Sequence, residues 1–187
     1  MKKIFLLGAL MACLHVPAAF AGGVALLTPI GIDPQARIPD AVRQECRIDF
    51  STQNNVFEGL RRHDPNVVMT SDPSSGRVLK VTILEVRAEP GGAWSGYKAI
   101  TARLEMLEDG KVVYTARMYR QNNPFAGGYR GNCSLLDAAA KGLGKGAAKW
   151  AQHPTTLLTD PDEPGSEAPV ASAPARAASE PASAAPL

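Results

Sequence analysis

The stretch that most limits what this chain can fold into is Gly96 to Arg120, two strand-like runs on either side of Glu108-Asp109-Gly110. On the first run Ile100, Ala102, Leu104 and Met106 are apolar and Thr101, Arg103 and Glu105 between them are polar, the period of two of a strand buried on one face. Val112, Tyr114, Ala116 and Met118 continue that pattern on the second run. Which side chains meet across the hairpin depends on the turn. A two-residue loop at Asp109-Gly110 sets Leu104 opposite Thr115 and mixes the faces. A three-residue loop with Gly110 left-handed sets Met106 by Val112, Leu104 by Tyr114 and Ala102 by Ala116. Because a slip of one residue sends every side chain to the wrong face, the pattern predicts the three-residue turn. The other face, with Thr101, Arg103, Glu105, Thr115 and Arg117, is expected to be a solvated sheet surface.

The start of the chain carries an address. Met1-Lys2-Lys3 is a charged n-region, Ile4 to Leu14 an apolar run too short to span a bilayer, and Ala19-Phe20-Ala21 a cleavage site, so residues 1–21 read as a secretory signal peptide. No transmembrane span is expected. Leu10-Met11-Ala12-Cys13 competes as a lipobox, which would make Cys13 a lipid anchor and the protein an outer-membrane lipoprotein rather than a periplasmic or secreted one. Cleavage after Ala21 removes Lys2 and Lys3 and leaves 18 basic against 18 acidic residues. That balance does not argue for nucleic acid as a partner.

Two cysteines survive cleavage, Cys46 and Cys133, and in an exported chain an even pair means one disulfide. Residues 22–158 then have the size of one ordinary domain. From Thr159 to Leu187 the composition collapses to Ala, Pro, Ser, Glu and Gly, and the segment is expected to be a disordered tail.

Between these ends the signals alternate. Gly23 to Ile30 reads as a strand, Gly31 to Pro39 as a loop, and Ala41 to Arg62 as a helix most secure from Thr52 onward and stopped by Asp64-Pro65. Asn66 to Thr70 is a short strand and Arg77 to Ala88 a long one, whose alternation changes phase and places a bulge near Leu84. Ser134 to Gln152 is a second helix, with Ser134 and Asp137 as its capping pair and small residues at Gly142, Gly144 and Gly146 that would let it lie close to the sheet. The element order β-α-β-β-β-β-α predicts an α+β two-layer sandwich, an antiparallel sheet of about five strands with two helices on one face.

Chemistry-bearing motifs are scarce. Gly142 to Ala147 matches a dinucleotide fingerprint in letters but lies inside a helix and follows no strand, and Lys145 lacks the Ser or Thr of a phosphate loop. A thiol nucleophile at Cys133 with His63 or His153 needs a free thiolate, and neither histidine has a metal-ligand spacing. No cofactor, metal or catalytic residue is expected. The loops either side of the hairpin bring a different prospect, because in an up-down-up run both leave the sheet at the same end. Trp94 and Tyr97 from one loop, and Phe125, Tyr129 and Arg130 from the other, then gather on one rim beside the start of the second helix, a docking place for a peptide, glycan or lipid headgroup. The competing expectation is that these rings plug the open end of the core.

With the signal peptide, the hairpin, and the Gly131-Asn132-Cys133-Ser134-Leu135-Leu136 start of the last helix assembled, the chain resembles uncharacterised small envelope proteins and lipoproteins of proteobacteria over Val24 to Trp150. Its layout is similar to the periplasmic domain of the curli secretion lipoprotein and the N-terminal domain of the Tol system's propeller protein. The resemblance implies an accessory or binding role toward an envelope protein or component, without catalysis, and carries over no functional residues. The alternative is a small secreted hydrolase with its site at the aromatic rim.

Overall fold

The computed structural model describes residues 23–89, 96–122 and 131–164. Its elements are β1 (Ala25–Leu27), β2 (Gly31–Arg37), α1 (Asp40–Glu45), α2 (Ile48–Arg61), β3 (Met69–Thr70), β4 (Arg77–Arg87), β5 (Ala99–Glu108), β6 (Lys111–Gln121) and α3 (Asn132–Gln152). Among the described residues the strands form one six-stranded sheet in the order β3-β1-β4-β5-β6, with β2 also beside β4. The fold is α+β as expected, but the sheet is mixed rather than antiparallel. β4, β5 and β6 make an antiparallel meander, while β1 and β2 run parallel to β4 and β1 runs parallel to β3. A parallel neighbour needs a crossover, and α1 and α2 supply it between β2 and β3.

The segment Gly31 to Pro39 is therefore not a loop. Its first seven residues are β2, which continues the line of β1 along β4, with Ala25 and Leu26 opposite Val78 and Leu79 and then Gly31 and Ile32 opposite Thr82 and Ile83. Pro34 hid this strand. A proline that cannot donate to a ladder is tolerated on an edge strand, and among the described residues β2 pairs on one side alone.

Among the described residues three helices, not two, cover the sheet. The expected single helix breaks between Glu45 and Ile48, where Arg47 takes a left-handed conformation (φ 42°) with its guanidinium 4.8 Å from the centre of the Phe50 ring. The break places Cys46 within reach of α3, and Cys46 and Cys133 are joined with their Cα atoms 5.0 Å apart. Joining residues 87 apart restricts the unfolded chain by about 4 to 5 kcal/mol on the chain-entropy account.

The hairpin turns through two residues rather than three. Asp109 (φ 50°) and Gly110 (φ 79°) both sit left-handed, the conformation of the tightest hairpins. A bulge then restores the faces that such a turn would mix: Glu108 and Leu107 pair with Lys111 and Val112, Val113 is skipped, and Met106, Leu104 and Ala102 meet Tyr114, Ala116 and Met118. The sides are those the alternation requires, but every pairing is displaced by two residues from the expected one. The bulge expected near Leu84 is present, between Ile83 opposite Ala102 and Glu85 opposite Thr101.

The core lies between the sheet and the helices. Leu79, Val81, Ile83 and Val86 of β4, the four alternating residues of β5, and Ala116 and Met118 of β6 are buried against Val56 and Leu60 of α2 and Leu136, Leu143 and Ala147 of α3. Val112 and Tyr114, expected in this layer, are exposed instead. They lie toward the hairpin tip, whereas Gly142 and Gly146 of α3 rest on Arg120 and Met118 at the other end of β6.

α3 is seated by glycine in a way the sequence only half reveals. Its closest approach is to α2, not to the sheet: a Cβ on Gly144 would stand 2.1 Å from the Asn55 carbonyl oxygen, and one on Gly59 would stand 2.3 Å from the Gly144 carbonyl oxygen. No side-chain cap begins the helix at Gly131. Asp137, expected to cap it, accepts hydrogen bonds from Ser51 Oγ and Asn55 Nδ2, both at 2.9 Å, and so ties α3 to α2.

The ordered domain also outruns its expected end at 158. After α3 the chain doubles back as a strap over residues 155–163. Trp150 Nε1 donates to the Thr155 carbonyl at 2.9 Å. Leu157 bridges Ala116 on the open edge of β6, with Arg117 N donating to the Leu157 carbonyl at 2.7 Å and Leu157 N to the Thr115 carbonyl at 2.9 Å. Asp160, 3% exposed, accepts from Tyr119 N and Arg120 Nη1, both at 2.8 Å, and Glu163 takes Arg117 in a two-pronged pair at 2.7 Å. Composition alone had assigned these acids to the tail.

Candidate functional site

The pairing that ends the meander defines the rim. Arg87 lies opposite Ala99, and Ala99 opposite Gln121, so the chain leaves β4, enters β5 and leaves β6 at one end of the sheet. Of the residues expected to gather there, Trp94, Phe125, Tyr129 and Arg130 lie outside the described residues. Tyr97 lies within them, 42% exposed and beside the buried ring of Tyr119. The Tyr119 hydroxyl donates to Gln121 Oε1 at 2.8 Å, and burial first, then its neighbour Tyr97, push its pKa up to about 12.

The feet of the two loops are clamped together by polar groups that periodicity could not single out. Lys98 N donates to Asn122 Oδ1 at 2.6 Å, and Asn122 N donates to the Lys98 carbonyl at 3.0 Å. The Lys98 side chain runs inward, fully buried, and its Nζ donates to the Glu89 carbonyl at 2.7 Å. Removal from water holds this ammonium below the usual lysine range, with attraction to Glu89 opposing the shift. A buried lysine tied to a main-chain carbonyl fastens one end of a loop to the other.

Behind the clamp, between α1, the end of β4 and the start of α3, lies a cavity of about 530 Å³. That is within the ordinary range for small-ligand sites. Its floor is apolar, from buried Val42, Val86 and Ala88, and Cys46 of the disulfide lies in its wall. Asn132 Oδ1 is buried at its edge without a hydrogen-bond partner among the described residues, and so is Asn122 Nδ2 nearby on the rim. Buried amide atoms with unmet hydrogen-bonding capacity are costly in a folded chain; Thr52 Oγ1, Arg77 Nε and Glu105 Oε2 share that state elsewhere, but these two lie together at the rim.

The other groups weighed for chemistry lie elsewhere. His63 shares a depression with Arg77 and Ala151 near the hairpin end, and His153 caps α3 there. Cys133 is bonded to Cys46. Among the described residues no three His, Cys, Asp or Glu side chains are grouped to hold a metal ion, and no helix is long and apolar enough to cross a membrane.

No protein-family model matches the chain, and no curated protein does. Solved structures resemble it more loosely. The PelC dodecamer of Paraburkholderia phytofirmans is similar at 19% identity and a TM-score of 0.44, over 67% of this chain and 86% of that one. Protein XCC0632 of Xanthomonas campestris, from the family DUF330, is similar at 11% identity and a TM-score of 0.46, over 68% and 82%. A candidate lipoprotein of Caulobacter crescentus is similar at 11% identity and a TM-score of 0.32, over 65% and 91%. None of these three is a curli or Tol protein.

Proposed function

We propose that this chain is a non-enzymatic accessory module of the bacterial cell envelope, periplasmic or associated with the outer membrane, that holds an envelope protein or component at the rim. Two features support the compartment: the export signal at the N-terminus and the Cys46–Cys133 bond, which belongs in an oxidising environment. The observation that carries the binding role is the rim cavity, with its apolar floor and the buried amide atoms of Asn132 and Asn122. The loops that leave this end bring four further candidates, Trp94, Phe125, Tyr129 and Arg130. Aromatic rings beside a guanidinium bind partners through broad apolar contact with a polar anchor.

The test is capture in living cells. A photoreactive amino acid at position 97 is expected to cross-link one dominant partner, and Trp94→Ala and Tyr129→Ala are expected to abolish capture with the melting temperature nearly unchanged. A large fall in melting temperature with capture intact would make the rings a plug for the core. Sustained turnover of an ester, peptide or glycan, lost on the same substitutions, would make the rim an active site instead. Intact mass of the mature protein decides the anchor, since an acylated species beginning at Cys13 makes it an outer-membrane lipoprotein.

A further inference from the structure

We propose that the depression between α2 and α3, on the side of the molecule away from the sheet, is a site for a phosphate group. Its volume is about 150 Å³, and it is lined by Asn55, Glu58, Gly59, Arg62, Lys141 and Lys145. The backbones of the two helices touch at Gly59 and Gly144, where no side chain stands between them, and the depression lies beside that contact. Lys141 and Lys145 lie four residues apart and so share one face of α3, and Arg62 faces them from the end of α2.

The charge at this site is unevenly committed. Glu58 is paired with Arg61 at 2.9 Å, and Lys141 with Asp137 at 2.9 Å across an exposed helix turn. Neither Arg62 nor Lys145 has an ion-pair partner among the described residues, and both are exposed. An exposed pair one helix turn apart is weak and is readily exchanged for a stronger acceptor. A phosphate offers several charged oxygens at once, matching the planar fork of an arginine and the point charge of a lysine. Lys145 belongs to the Gly142 to Ala147 run that resembles a nucleotide fingerprint in letters, but it lies in mid-helix, so contact runs through side chains and not through a helix N-terminus.

The phosphate can come from a lipid headgroup or from a soluble donor, and the experiment separates them. Inorganic phosphate is titrated into the purified protein at constant ionic strength against a chloride control, following the amide signals of Gly59, Lys141 and Lys145. A saturable shift confined to these residues is expected, weakened at least five-fold by the double variant Arg62→Gln with Lys145→Gln and less than two-fold by Lys149→Gln, one turn further along α3. In the second arm the protein is sedimented with vesicles of phosphatidylglycerol in phosphatidylcholine and with pure phosphatidylcholine. Retention on the anionic vesicles alone, lost in the double variant, assigns the phosphate to a headgroup; saturation by free phosphate without retention assigns it to a soluble donor. The proposal is overturned if neither ligand perturbs the groove, if chloride reproduces the shifts, or if Lys149→Gln weakens binding as much as the double variant.

Discussion

On β5, Ile100, Ala102, Leu104 and Met106 face the helices and are buried, whereas Arg103 and Glu105 between them face outward and are held by charge. The inner side is sealed by close approach: α3 rests on α2 through Gly59 and Gly144, and a disulfide fixes where it begins. The outer side is a lattice of partly exposed pairs, Lys80 with Glu105, Arg103 with Asp33, and Arg37 and Arg87 with Glu85. Dry packing gives no room for change, because interiors are as dense as crystals, while solvated pairs lose most of their attraction to water. The strap mixes the two cases, since Asp160 is buried, Glu163 is partly buried and Asp162 is exposed, and their partners belong to the edge strand.

The substitutions that test this contrast span the full range of effect. Replacing Cys46 and Cys133 together by serine is expected to cost about 4 kcal/mol in urea unfolding, by freeing the unfolded chain. Gly144→Ala comes next, with a loss of about 3 kcal/mol, because the new methyl group meets backbone atoms that cannot move aside. A loss under about 0.5 kcal/mol would break the claim that the inner side is held by close approach.

Asp160→Ala on the strap is expected to cost about 2 kcal/mol, as it strips the Tyr119 amide and the Arg120 guanidinium of a buried acceptor. Faster hydrogen exchange at the amides of Arg117 and Tyr119 would show that the strap had lifted. Glu163→Gln is milder, about 1 kcal/mol at neutral pH. The Arg117 guanidinium holds the Glu163 carboxyl below its ordinary value of 4.5, against the opposing effect of burial. A carboxyl depressed in the folded state binds its proton more readily once unfolded, so its contribution is present above about pH 4.5 and fades as pH falls through the lower folded value. The difference between the natural chain and Glu163→Gln should therefore shrink on acidification, and a gap that stayed constant to pH 3 would remove charge from the account. Lys80→Ala should change stability by less than about 0.5 kcal/mol, and a larger loss would erase the distinction between the faces.

How much of this could be read in advance depends on distance along the chain. The β5–β6 hairpin, the bulge at Leu84 and the last helix were legible because their partners are close in sequence or their periodicity is long. β2 was not, since a proline-bearing heptad shows its pairing only beside β4, nearly fifty residues away. The strap was masked by averaging: Asp160 to Glu163 fall in a tail of alanine and proline by composition, although Leu157 and Leu158 followed by Asp160-Pro161-Asp162 are themselves a strand-then-turn signal. At the rim Tyr97 alone of the expected aromatic residues lies within the described residues. The Lys98 clamp and the amides of Asn122 and Asn132 could not be read in advance, because a single buried polar residue leaves no pattern.

The sequence by itself determined which residues alternate and where helix gives way to turn, and it singled out Cys46 and Cys133 as a pair. Those choices depend on the preferences of a few neighbouring residues and on a simple count of cysteines. Only the tertiary structure decided that the sheet is mixed, that Gly144 meets α2 rather than the sheet, and that a strap running across the expected boundary at 158 closes an open edge. Each of these depends on which distant surfaces come to share a dry contact, a property of the packed chain that no local pattern encodes.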